Sequence, residues 1–133
     1  MKSLKFYIFT LLFISSAGAL YAQNGEIPNE IVSALNSGDA GKLSGYLNTN
    51  VELAISNKND VFSKQQATGI ISDFFRTNHV QSFQVLHSGT KDTSSFAIGT
   101  LKTSGGSFRV YVLVRKSGGQ TVIHQLRIEP SNG

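Results

Sequence analysis

Apolar positions along this chain change period once, from helical spacing in the first half to two-residue alternation in the second. Ile27, Ile31 and Ala34/Leu35 recur at 3.6-residue spacing, with Pro28 suited to a first helical turn and Gly38 to the position just past the end. Asp39 then caps a second, short helix that carries Leu43, Tyr46 and Leu47 on one side. Residues 50–56 alternate Val51, Leu53 and Ile55 against polar neighbours, which predicts a strand, and residues 57–60 (NKND) turn out of it. Ser63 followed by Gln66 forms a capping box, and the helix it opens buries Ala67, Ile70/Ile71 and Phe74/Phe75 before Asn78 ends it.

Four segments of β character follow, at residues 80–88, 95–103, 107–116 and 121–129. Residues 104–106 (SGG) and 117–119 (SGG) read as hairpin loops and residues 89–94 as a longer one, so the four strands form an antiparallel meander. Gly99 in mid-strand predicts a bulge or a close backbone approach. Parity assigns the faces. Phe108, Val110, Val112 and Val114 share one, leaving Arg109, Tyr111, Leu113 and Arg115 on the other. In the last strand Val122, His124, Leu126 and Ile128 oppose Ile123, Gln125 and Arg127. The second face mixes apolar, tyrosine and arginine side chains, a composition suited to a partner surface.

Residues 1–22 have the order of a secretory leader: Lys2 and Lys5, an apolar run over residues 6–14, then small residues at 17–19 and 20–22. The apolar run is about half of the roughly 20 residues that a membrane span needs. Cleavage is expected before Gln23, since Ala-Gln after an aromatic resembles the ends of many Bacteroidetes signal peptides; cleavage after Ala19 is the alternative. The remaining residues 23–133, about 110 of them, suffice for one domain and not two. The leader carries two of the 12 Lys and Arg residues and none of the 8 acidic ones, so the excess that remains is two positive charges. That predicts solubility rather than a nucleic-acid footprint. The absence of cysteine removes both a disulfide framework and the residue a lipoprotein anchor needs. A soluble protein of the periplasm or the extracellular space is the expectation, with no membrane anchor after cleavage.

The order helix, short helix, strand, helix, meander resembles the α+β cone of the nuclear transport factor 2-like superfamily, related in shape to the cystatin fold. Residues 34–43 (ALNSGDAGKL), Tyr46-Leu47 and Asn50-Val51-Glu52-Leu53 look like its N-terminal stretch, where a Gly-Asp break separates two helices before the first strand. A closer resemblance covers residues 26–129 and is to small secreted Bacteroidetes proteins grouped as domain of unknown function 4783. Asn50-Val51-Glu52-Leu53, residues 96–101 (FAIGTL), Phe108-Arg109-Val110-Tyr111 and residues 125–129 (QLRIE) carry it. The likeness implies a fold, an exported compartment and a homodimer, but no activity.

Many members of that cone use the space between the long helix and the concave sheet face as a ligand pocket. The corresponding residues here are Phe74, Phe75, Phe83, His87 and His124. His87 shares parity with Phe83 and Val85, as His124 does with Leu126 and Ile128, so either imidazole is a candidate acid/base group. Carboxylates to pair with them are scarce: Glu52 has outward parity, Asp60 and Asp92 fall in turns, and Asp73 lies beside its helix's buried stripe. No metal-ligand spacing, nucleophile elbow or phosphate loop is present, and no cofactor is expected. Arg109, Arg115, Arg127 and Lys102 share the outer sheet face. Either they bind a polyanion, or that face is a dimer interface built on Arg109, Tyr111, Leu113, Arg115, Ile123 and Arg127, with arginines paired to acids such as Glu129 or Glu52.

The expected function is therefore a non-enzymatic exported module, homodimeric, that binds a small molecule or a protein through the cone pocket or the outer face. The alternative is a small isomerase- or dehydratase-type enzyme using His124 or His87. A cystatin-like peptidase inhibitor ranks behind both, because the chain has no Gln-x-Val-x-Gly loop.

Overall fold

The computed structural model describes residues 27–131; the leader assigned to residues 1–22 lies outside them. Helix α1 spans Asn29–Ser37, with Ile31, Ala34 and Leu35 buried. It ends where Gly38 adopts φ 65° and the Gly38 and Asp39 amides donate back to the Leu35 and Ala34 carbonyls. Glycine is needed there twice over, since a Cβ at that position would also lie 2.9 Å from the Val80 side chain. Helix α2 (Ala40–Ser44) starts with the Lys42 amide donating to the Asp39 carboxylate at 3.0 Å. Helix α3 (Lys64–Thr77) opens on the expected capping box: the Gln66 amide donates to Ser63 Oγ and the Ser63 amide to Gln66 Oε1, both at 3.2 Å.

Six strands make one sheet: β1 Leu47–Ile55, β2 Lys58–Ser63, β3 Val80–Lys91, β4 Ser94–Thr103, β5 Gly106–Ser117 and β6 Gln120–Pro130. Their order is β2-β1-β6-β5-β4-β3, antiparallel throughout except for the parallel β1–β6 pair. Strand β2 departs from expectation. In place of a turn over residues 57–60, the chain reverses at Ser56, which takes φ 57°, and Asn57, and residues from Lys58 onward pair back onto β1. Strand β2 is an edge, mostly exposed and bearing Lys58 and Asp60, so it has no apolar alternation to read. The loop expected at residues 89–94 is also shorter: β3 continues to Lys91, and Asp92 at φ 57° lets the chain turn back at Ser94.

The helices cover one face of the curved sheet. Ile31, Ala34 and Leu35 of α1, Leu43 of α2, and Ala67, Ile71, Phe74 and Phe75 of α3 form one buried cluster with Val51, Leu53, Ile55, Phe83, Ala97, Leu101, Val110, Val112, Val114, Ile123, Leu126 and Ile128 of the sheet. This is the α+β cone expected from the element order, with an added edge strand.

Of the register irregularities in the sheet, two fall at the candidate histidines and interrupt the alternation on which their face assignments rest. In β3, Val85 pairs with Gly99 and His87 with Ile98, so Leu86 is extra. In β6, Gln125 pairs with Leu113 and Ile123 with Val114, so His124 is extra. Every residue before the β6 bulge is thereby moved to the face opposite its simple parity. Ile123, expected outside as an interface residue, is fully buried in the core beneath Val114.

Candidate functional site

The pocket expected between the long helix and the sheet is filled. Phe74, Phe75 and Phe83 are each at most 7% exposed. The Phe74 ring packs edge-on to Phe75 at 5.9 Å and to Phe108 at 5.0 Å between centroids. These aromatics belong to the core and give the histidines no common chamber.

Both histidines sit at or next to a bulge, and the bulge decides where each points. His87 is exposed and pairs with Ile98, whereas Phe83 pairs with Leu101, three residues along the same strand and on its opposite face. His124 is the half-buried extra residue of β6. Neither is in register with the core residues whose face it was expected to share. Among the described residues neither imidazole makes an ion pair or a side-chain hydrogen bond, so no His–carboxylate dyad is assembled. No three His, Asp or Glu side chains among the described residues group closely enough to hold a metal ion.

Four clefts stand out among the described residues, and His124 lines none of these four. One of about 230 Å³ lies between the β1–β2 hairpin and the end of α3, with Ile55, Ile70 and Phe74 as its apolar floor and Lys58, Asp73 and Asn78 on its rim. A second, of about 400 Å³, runs between the start of α1 and the β3 bulge, where Val85 and Leu86 are exposed beside His87. A third, of about 440 Å³, is open and flanks Gly38 and Arg76. The fourth, of about 330 Å³, lies on the outer sheet face and is lined by Ile98, Arg109, Tyr111, Gln125 and Arg127.

That outer face is where the sequence reading and the register agree most closely. Strand pairing sets its side chains in rows across four strands. Glu52, Gln125, Leu113 and Phe96 form one; Ala54, Arg127, Tyr111 and Ile98 form the next; Glu129, Arg109 and Thr100 continue. Phe96, Ile98, Tyr111 and Leu113 are half-buried, and the Phe96 and Tyr111 rings stack at 6.2 Å with 19° between their planes. No described helix covers them. Arg127 pairs with Glu129 at 3.6 Å. With both side chains about half exposed, that pair is worth at most about 1 kcal/mol. Arg109 and Glu52 make no ion pair among the described residues. Arg115 lies on the same face, one pairing beyond Val114 and past the β6 bulge, beside Val122. Phe96 and Ile98 were not among the interface residues expected from the sequence; their parity opposite Ala97 was the available signal.

Helices on one face of a six-stranded curved sheet, in this order and with this pairing, define the nuclear transport factor 2-like class of fold. A solved protein of that class with a long sheet superimposes with a TM-score of 0.60 at 17% identity, over 75% of this chain and 94% of its own. The chain belongs to the family described as domain of unknown function 4783, whose model matches residues 28–129. A family protein from Bacteroides ovatus is 39% identical, with a TM-score of 0.78 over 83% of this chain and all of that one. Another, from Bacteroides fragilis, is 38% identical, with a TM-score of 0.76 over 80% of this chain and all of its own. None of the curated proteins matches the chain.

Proposed function

We propose that this protein is an exported, non-enzymatic association module that works as a homodimer through its outer sheet face. The observation that carries the reading is the uncovered band of half-buried Phe96, Ile98, Tyr111 and Leu113, flanked by Arg109 and Arg127. Aromatic residues and arginine are what the centres of protein interfaces concentrate, and a rigid sheet presents them without the entropy cost of ordering a loop. The aromatic-filled interior and the isolated histidines favour binding over acid/base catalysis. Export rests on the leader-like residues 1–22, and no helix among the described residues is long and apolar enough to cross a membrane.

Light scattering on residues 23–133, which include every described residue, tests the dimer. Twice the monomer mass is expected, with replacement of Tyr111 and Leu113 together by Ser weakening association at least about tenfold. A wild-type monomer at millimolar concentration, or a dimer indifferent to both changes, refutes the reading. Fractionation of a bacterial host expressing the full chain tests export, and retention in the cytoplasm refutes that part.

A further inference from the structure

This inference rests on the outer-face reading and specifies how the two copies meet. We infer that the cleft between Arg109 and Arg127 receives the Glu52 carboxylate of a second copy, so that two reciprocal Glu52–Arg109 ion pairs fix the geometry of the dimer. Both charged side chains in the wall of that cleft are cations, with Tyr111 and Gln125 beside them as further donors and Ile98 as its apolar side. Glu129, which pairs directly across from Arg109 in the strand register, is engaged by Arg127 instead. Arg109 is left as an exposed guanidinium without an acidic partner among the described residues.

Glu52 is the corresponding anion on the same face, without an ion pair among the described residues, exposed and in register with Gln125. It cannot serve Arg109 within one molecule. Strand β6 separates β1 from β5, and Glu52 and Arg109 stand two outward-facing rows apart. Strand spacings of about 4.8 Å and rises of about 3.4 Å per residue put their Cα atoms about 17 Å apart, beyond the combined reach of the two side chains. A two-fold axis lying in the plane of the face removes that separation. An axis crossing the midpoint of the Glu52–Arg109 line passes over the Arg127 row, brings each Glu52 onto the partner copy's cleft, and lays Phe96, Tyr111 and Leu113 against the same three residues of the second copy. Glu52 and Arg109 exchanged across such an axis form a self-complementary pattern, as an isologous interface requires, with the two Arg127 side chains meeting at the axis, each beside its own Glu129.

The chain contains no cysteine, so introduced thiols report the contact directly. In residues 23–133 carrying both Glu52→Cys and Arg109→Cys, a disulfide within one chain is excluded by the separation, because a disulfide requires Cα atoms within about 7 Å. Mild oxidation is expected to give a covalent dimer from the double variant, and from an equimolar mixture of the two single variants, but not from Glu52→Cys alone. In the uncrosslinked protein, Glu52→Arg is expected to weaken the dimer at least about tenfold, more so at low salt than at high salt. A dimer by light scattering that does not crosslink, or that crosslinks equally through Glu52→Cys alone, overturns the pairing while leaving the outer-face reading intact. A monomer at all concentrations overturns both. Both positions are exposed, and circular dichroism of each variant checks that the fold is retained.

Discussion

Replacing Gly99 with alanine tests whether the curvature of this sheet depends on a missing side chain. Gly99 is buried in β4 opposite Val85, one pair before the bulge at Leu86. A Cβ there would lie 2.5 Å from the Gln84 carbonyl oxygen and 2.7 Å from two atoms of the Phe83 ring. The first contact is with backbone, which cannot swing aside, and the second is with a ring only 6% exposed in a packed core. Overpacking of this kind costs about 1–3 kcal/mol. The smaller unfolded-state entropy of alanine returns about 0.4–1 kcal/mol. A net loss of about 1 kcal/mol follows, which lowers Tm by roughly 4–8 °C for a domain of this size. Urea denaturation of wild type, Gly99→Ala, Phe83→Leu and the double variant separates the two contacts. If the ring contact matters, the alanine costs less in the Phe83→Leu background than in wild type, and the difference is the coupling energy. A Gly99→Ala protein as stable as wild type would refute the close-approach argument.

Two further changes probe how the helices are tied to the sheet. Asn36 Oδ1 accepts the Phe83 amide at 2.9 Å, joining α1 to the edge strand β3, so Asn36→Ala is expected to cost about 1–3 kcal/mol in thermal denaturation, whereas Asn36→Asp keeps the acceptor and loses less. Ser63→Ala removes the α3 cap; a loss of about 1 kcal/mol in denaturant titration is expected, with Ser63→Asp close to wild type, and a neutral alanine would show that the capping box does not hold the helix start.

Much of the fold was legible along the chain because its causes are local. The 3.6-residue stripe of Ala67, Ile71, Phe74 and Phe75, the Ser63–Gln66 box and the Gly38 terminator each act within one or two turns, and each is found in the structure. The alternation in β5 is unbroken across residues 108–114, so its inner and outer residues were assigned correctly. The cleft between Arg109 and Arg127 was half legible for the same reason. The face assignments that failed were carried by single bulged residues. Leu86 and His124 look like any other strand position in sequence, yet each takes up the bending of the sheet over its helices and moves its neighbours to a new face.

The sequence by itself determined the identity of the helices, most of their boundaries, the meander and the character of the β5 faces, because periodicity, capping and turn chemistry act between residues close along the chain. Only the tertiary structure decided that β2 returns as an edge strand, that β1 lies parallel to β6, and that Ile123 is core while the histidines stand apart. Those outcomes depend on how a curved sheet closes over α1 and α3, a packing constraint between residues up to about 75 positions apart, such as Leu47 and Ile123, that no local pattern records.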